Sequence, residues 1–178
     1  MTQILMQVFW LFLPAGAANM APVLLRWLPI ADIPVDFGVK FRGEPIFGQH
    51  KTYRGFIVGI LSSVAIVYVQ KLLYPYTAQF ALLDYSQANI WFLGFILGGG
   101  ALLGDLIKSF FKRQFHISSG KSWVPFDQID WIVGALIAGS LVIELNHQIA
   151  VVALVLFGIL HPIINIIGYY SGLKNNRF

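Results

Sequence analysis

The sequence has no cysteine and little charge: 11% of its 178 residues are Asp, Glu, Lys or Arg, and only eight are acidic. The first absence excludes structural disulfides, thiolate metal sites and a cysteine nucleophile, and it leaves the compartment open. The second, beside 57% hydrophobic and 15% aromatic residues, excludes an ordinary soluble domain. No repeat, low-complexity tract or acidic or basic tail is visible. The net charge of +4 does not point to nucleic acid, because the basic residues flank apolar segments instead of forming one stripe. The four histidines are scattered without metal-ligand spacing, which argues against zinc.

What remains is an all-α polytopic membrane protein. A spanning helix takes about 20 apolar residues, so five transmembrane helices and their loops use the whole length, and residues 1–178 read as a single membrane-embedded domain. The hydropathy pattern places the helices at about 4–25, 54–73, 89–111, 127–146 and 149–171. The first is not read as a signal peptide: it lacks a positive leading region, contains Pro14 and Asn19, and is followed by further spans. The loop from Arg26 to Tyr53 holds Pro29, Pro34, Pro45, Gly38, Gly43 and Gly48, a composition for a polar, structured loop. The loop from Tyr74 to Ala88 has no Lys or Arg, whereas that from Lys112 to Phe126 is basic. Basic residues stay on the cytoplasmic side, so these first and third loops and the C-terminus are assigned inside and the N-terminus outside. Of the 12 Lys and Arg, only Lys71 breaks the pattern. The expected location is the cell (inner or plasma) membrane, with the polar loops facing the cytoplasm. For Arg26, Lys174 and Arg177 topology is sufficient explanation.

The third helix ends Gly98-Gly99-Gly100-Ala101-Leu102-Leu103-Gly104-Asp105-Leu106-Ile107-Lys108-Ser109-Phe110-Phe111-Lys112-Arg113. Asp105, Lys108 and Lys112 are spaced to share one helical face. A carboxylate about two turns inside a membrane helix must be paired, hydrated or bound to a cation, so Asp105 marks either a structural pair with Lys108 or a functional site. The glycines fit close helix packing, a kink or close approach by substrate. Asp127 and Asp130 also share a face. A cap at the helix start would explain Asp127 but not a second acid one turn deeper. Three carboxylates, Asp105, Asp127 and Asp130, are the hard oxygen donors that suit Mg²⁺ together with phosphates. Lys51 and Arg54, flanked by Gly48 and Gly55, are either snorkelling topology signals or phosphate contacts. Asn19 and Asn165, with His161, are neutral polar groups in apolar helices, of the kind that commonly hydrogen-bonds between helices.

The ordered set Asn19, Pro22, Pro34, Asp36-Phe37-Gly38, Arg42-Gly43, Phe47-Gly48, Lys51-Thr52, Arg54-Gly55-Phe56, Gly104-Asp105, Lys108-Ser109-Phe110, Lys112-Arg113, Gly120, Trp123, Pro125 and Asp127-Gln128-Ile129-Asp130 resembles the CDP-archaeol synthase family. His161-Pro162, Asn165 and Gly172-Leu173-Lys174 extend the likeness to the C-terminus. That family is similar to the phosphatidate cytidylyltransferases. The His-Gly-Gly stretch that those enzymes carry before the paired acids is absent here, where Trp123-Val124-Pro125-Phe126 stands.

The resemblance implies Mg²⁺-dependent transfer of CMP from CTP to a lipid phosphate, an unsaturated archaetidic acid, with release of diphosphate. It implies a catalytic group of Asp105, Lys108, Lys112, Asp127 and Asp130, with the three aspartates on the metal. Lys51, Arg54, Ser109, Arg113 and Lys121 would contact phosphates, and Asn19 and Asn165 the lipid headgroup. The partners implied are CTP, the lipid phosphate and the bilayer. The oligomeric state is left open, a homodimer included. Phosphatidic acid or another lipid phosphate is an alternative acceptor, and a small transporter an alternative class, because transporters also use intramembrane acids.

Overall fold

The computed structural model describes residues 2–118 and 121–172. Gly120, Leu173, Lys174 and Arg177, on which some of the readings above rest, lie outside them. Among the described residues there are five α-helices: α1 (Thr2–Leu24), α2 (Tyr53–Thr77), α3 (Ile90–Gln114), α4 (Phe126–Gly139) and α5 (His147–Tyr170). Their starts follow from local chemistry. The side chains of Thr52, Asn89 and Asn146 accept the first backbone N–H groups of α2, α3 and α5.

Four helices, α1, α3, α5 and α2 continued to Phe80, are long and apolar enough to cross a membrane. The fourth expected span is cut short. Helix α4 has 14 residues, about 21 Å at 1.5 Å per residue, against about 30 Å of hydrocarbon. It stops at Gly139, and the Ser140 hydroxyl bonds back to the Ile137 carbonyl at 2.8 Å. The apolar residues Leu141 to Ile143, expected to continue the helix, instead form a turn.

Small residues set the packing. A Cβ added at Gly104 or Gly134 would overlap the backbone of the facing helix, and one at Gly98 would lie 2.6 Å from Ser63 Cβ. The glycines of α3 are thus packing surfaces toward α2 and α4, apart from Gly99, which faces open space. Large apolar side chains point outward: Leu61 is 53% exposed and Ile137 65%. On a chain of this composition, such an apolar exterior is a lipid-facing surface.

One buried polar contact follows directly from a proline. Pro14 lacks the N–H that would bond the Trp10 carbonyl four residues earlier in α1. Gln70 of α2, fully buried, donates its side-chain amide to that carbonyl at 2.5 Å. The orphan backbone acceptor is satisfied from the neighbouring helix, as hydrocarbon requires.

The segment between α1 and α2 carries a two-residue hairpin, β1 (Lys40–Phe41) with β2 (Glu44–Pro45), in antiparallel register Phe41 to Glu44. Its turn residues Arg42 and Gly43 both have positive φ, +53° and +85°, the backbone of a tight hairpin turn. Phe110 of α3 lies against Phe41 and Phe47, with ring centroids 6.1 and 6.5 Å away, and so seats the loop on the helix.

Candidate active site

Helix α3 carries its polar groups on two adjoining stripes. Asp105, Lys108 and Lys112 turn toward the start of α4, and Ser109 and Arg113 lie one position further round. Because Gly104 lets the α4 backbone at Asp130 approach closely, the acids of α4 reach the bases of α3. Lys108 Nζ is 2.8 Å from Asp127 Oδ1, 3.0 Å from Asp130 Oδ2 and 3.3 Å from Asp105 Oδ1. Lys112 Nζ is 2.8 Å from Asp127 Oδ2. Asp127 is not a helix cap. Besides the two lysines, its carboxylate accepts the backbone N–H of Trp123, which precedes the helix.

The loop before α2 supplies the opposite wall. Lys51 pairs with Asp105 and bridges the loop to α3. Its backbone is fixed by the Val35 N–H, which donates to the Lys51 carbonyl at 2.8 Å, and by its own N–H, which donates to the Gly48 carbonyl at 3.2 Å. Beneath this turn lies Asp36, a group whose role sequence reasoning missed. Only 7% exposed, it accepts the N–H groups of Gly38 (3.0 Å), Phe47 (2.9 Å) and Gly48 (3.1 Å). Burial alone would raise its pKa, but these donors outweigh it and hold the carboxyl below its ordinary value. The nearby prolines and glycines hinted at a turn, but the pairing of Asp36 with residues 11 and 12 positions away has no local signature.

A cavity of about 650 Å³ opens between these walls. Asp105, Asp127, Asp130, Lys51, Lys112 and Lys121 line its polar side. Asn19 of α1 and Asn165 and His161 of α5 line another part of the same space, with Pro22, Val23 and Leu102 nearby. It therefore combines a charged floor with a flank of neutral polar and apolar helix residues.

Arg54 also lines the cavity, but its guanidinium is largely engaged. One terminal nitrogen is 2.8 Å from Asp32, and the other donates to the carbonyls of Arg26 (2.8 Å) and Leu28 (3.1 Å). It clasps the chain just beyond α1. Ser109 and Arg113 line a smaller space that shares Lys51, Lys108 and Lys112 with the large one.

The acids suit a hard cation by the chemistry of the donor set. Three carboxylates from two helices converge on one positive centre, and each keeps a further partner: Lys51 for Asp105, Lys112 and the Trp123 N–H for Asp127, and the Trp131 N–H for Asp130. The ammonium of Lys108 occupies that centre, and among the described residues no group of acids and histidines is arranged about an open metal position. A divalent cation could take this position only if that ammonium withdrew on its four-carbon stem.

The geometry agrees with what the chain resembles. The family model described as "CarS-like: CDP-archaeol synthase" matches residues 1–178. The CDP-archaeol synthase of Pyrococcus furiosus is 34% identical over 173 residues, covering 96% of each chain. That of Methanoculleus marisnigri is 38% identical over 172 residues, 91% of this chain and 97% of the relative. A solved structure, described as an intramembrane enzyme for archaeal membrane lipids biosynthesis, superposes with a TM-score of 0.69 at 29% identity, over 89% of this chain and 92% of that one. The chain therefore belongs to the CDP-archaeol synthase family and is a multi-pass membrane enzyme, a lipid cytidylyltransferase that uses CTP.

Proposed function

We propose that this enzyme transfers CMP from CTP to an unsaturated archaetidic acid, 2,3-bis(geranylgeranyl)glycerol 1-phosphate, in a Mg²⁺-dependent reaction that yields CDP-lipid and diphosphate. The observation that carries the site assignment is the convergence of Asp105, Asp127 and Asp130 on one cationic centre, in a cavity that also reaches Asn19 and Asn165. The names of the relatives support the archaeal acceptor.

Two anions must meet, so the work of the site is positioning and charge neutralisation. Held by the three aspartates, Mg²⁺ would neutralise triphosphate oxygens and polarise the α-phosphorus. Lys51, Lys108, Lys112 and Lys121 surround the same space and offer ammonium groups to the phosphates. Lys108 and Lys112 exchange their carboxylate partners for phosphate oxygens when the nucleotide enters. The lipid phosphate is itself an ionised nucleophile, so no side chain need form a covalent intermediate. Asn19 and Asn165 flank the headgroup, and the prenyl chains leave sideways between helices. The whole chain acts as one catalytic domain, with its charged end on the cytoplasmic side, as the distribution of basic residues favours.

The test is incubation of purified protein with Mg²⁺, labelled CTP and a panel of lipid phosphates. Label should enter CDP-lipid, with the geranylgeranyl ether phosphate the best acceptor. Preference for phosphatidic acid would overturn the acceptor, and incorporation into none of them would overturn the chemistry.

A further inference from the structure

The segment between α1 and α2 is polar in composition, yet it exposes large apolar side chains. Trp27 is 70% exposed and Phe37 69%, and Ile30, Ile33, Val39 and Phe41 are exposed with them. In water such a group would be an adhesive surface. Three of these residues prolong the lipid-facing surface of the helices. On α2 the exposed Tyr53, Ile57 and Leu61 form one stripe, and the Phe37 ring lies 5.6 Å from that of Tyr53. On α3 the exposed Leu103, Ile107 and Phe111 form a second. Phe41 reaches it through Phe110, whose ring is 6.1 Å from Phe41 and 5.5 Å from Phe111. Trp27 follows closely on the exposed Leu24, the last residue of α1.

Backbone bonds hold the segment level with the helix ends. The Tyr53 N–H donates to the Ile33 carbonyl at 3.0 Å and the Arg54 N–H to that of Ala31 at 2.8 Å, so residues 31–33 lie alongside the first turn of α2. The Arg54 guanidinium adds its bonds to the carbonyls of Arg26 and Leu28. The segment therefore lies at the depth where the spans meet the headgroup layer. Its charges are sorted by partner. Each acid of the stretch is engaged: Asp32 by Arg54, Asp36 by backbone N–H groups and Glu44 by His116. The bases Arg26, Lys40 and Arg42 are exposed and, among the described residues, make no ion pair. Apolar side chains interleaved with unpaired cations suit a leaflet that bears anionic headgroups.

We infer that the segment from Arg26 to Arg42 is seated in the headgroup layer at the active-site end of the bundle, its apolar side chains among the acyl chains and its cations on anionic lipid headgroups. Arg26 and Asp32 also line the large cavity, so the lipids held there stand beside the substrate space. Each cation close to an anionic leaflet contributes about fivefold in affinity. A lipid-phosphate acceptor is itself anionic, so the same cations concentrate it next to the cavity. That last consequence rests on the cytidylyltransfer reading, whereas the seating of the segment does not.

The experiment uses the full-length protein in nanodiscs of phosphatidylcholine alone or mixed with phosphatidylglycerol. The chain has no cysteine, so Val39→Cys provides a single site for an environment-sensitive fluorophore. Its emission should shift to the blue, be quenched by lipids brominated near the headgroup, and shift further as phosphatidylglycerol is added. Lys40→Gln with Arg42→Gln should raise the phosphatidylglycerol fraction at half-effect, and KM for the lipid phosphate, by about fivefold or more, with KM for CTP within about twofold. Lys40→Arg with Arg42→Lys, which keeps both charges, should behave as the wild type and guards against a loop that merely folds badly. Water-like emission in both kinds of disc would overturn the seating. A shift that ignores phosphatidylglycerol, or that the paired Gln substitutions leave unchanged, would overturn the part given to the cations. Failure of the wild-type protein to make CDP-lipid from any lipid phosphate would instead overturn the cytidylyltransfer reading, and the fluorescence distinguishes the two.

Discussion

Lys108 Nζ lies 2.8 Å from Asp127 Oδ1 and ties α3 to α4 at the floor of the large cavity. The same ammonium also contacts Asp105 and Asp130, so it compensates three carboxylates in a largely buried place. Replacing it leaves those acids to repel one another. Lys108→Gln should lower kcat by about 10²-fold, the scale of losing one charge-stabilising group. It should also make the fold more dependent on metal, so that added Mg²⁺ raises Tm more in the variant than in the wild type. An equal Mg²⁺ response in both proteins would mean that ammonium and metal do not compete for one position.

The α3 to α4 approach depends on Gly104, where any side chain would meet the Asp130 carbonyl. Gly104→Val should destabilise the protein by about 1–3 kcal/mol through overpacking and should separate Asp130 from Lys108. Gly99→Ala, which meets nothing within 4 Å, is the control. Thermal unfolding in detergent should separate the two variants by several degrees; equal stability would contradict the packing account.

Asp36 holds the turn that presents Lys51. Asp36→Ala should raise KM for CTP about tenfold, an effect of about 1.4 kcal/mol, with a smaller change in kcat. The pH dependence follows from the sign of the shift. The folded chain lowers the pKa of Asp36, so the stabilisation is present at neutral pH and is lost as pH falls below the ordinary value of 3.8. Asp36→Asn should therefore flatten the acid limb of the stability curve relative to the wild type. Identical acid limbs would show that the carboxylate does not anchor this turn.

Much of this arrangement was legible from spacing. Asp105, Lys108 and Lys112 follow helical periodicity, and an acid deep in an apolar helix is costly enough to announce itself. Asp127 and Asp130 could be paired with them because they open the next helix across a short basic loop. What spacing could not reveal were relationships that depend on tertiary approach. Asp36 bonds to backbone N–H groups, which leave no trace in side-chain pattern, and Gln70 answers a defect that Pro14 creates in another helix. The hydropathy of residues 141–143 suggested a longer fourth helix because apolarity extends past Gly139, whereas helix geometry does not. Arg54 read as a phosphate ligand from its glycine neighbours, yet Asp32 and two carbonyls occupy most of its donors. Nor could the sequence separate the two cavities, since the same lysines line both.

The most direct test of the assignment is transfer of label from CTP carrying a labelled α-phosphate to lipid phosphate, with purified Asp105→Asn and Asp127→Asn proteins compared with the wild type at saturating Mg²⁺. Each variant keeps the shape of the side chain and removes one charge from the set around Lys108. The rate of CDP-lipid formation should fall at least about 10²-fold in both, with the folded fraction unchanged by size-exclusion chromatography. Wild-type rates in either variant would contradict the placement of the metal and the triphosphate among these aspartates.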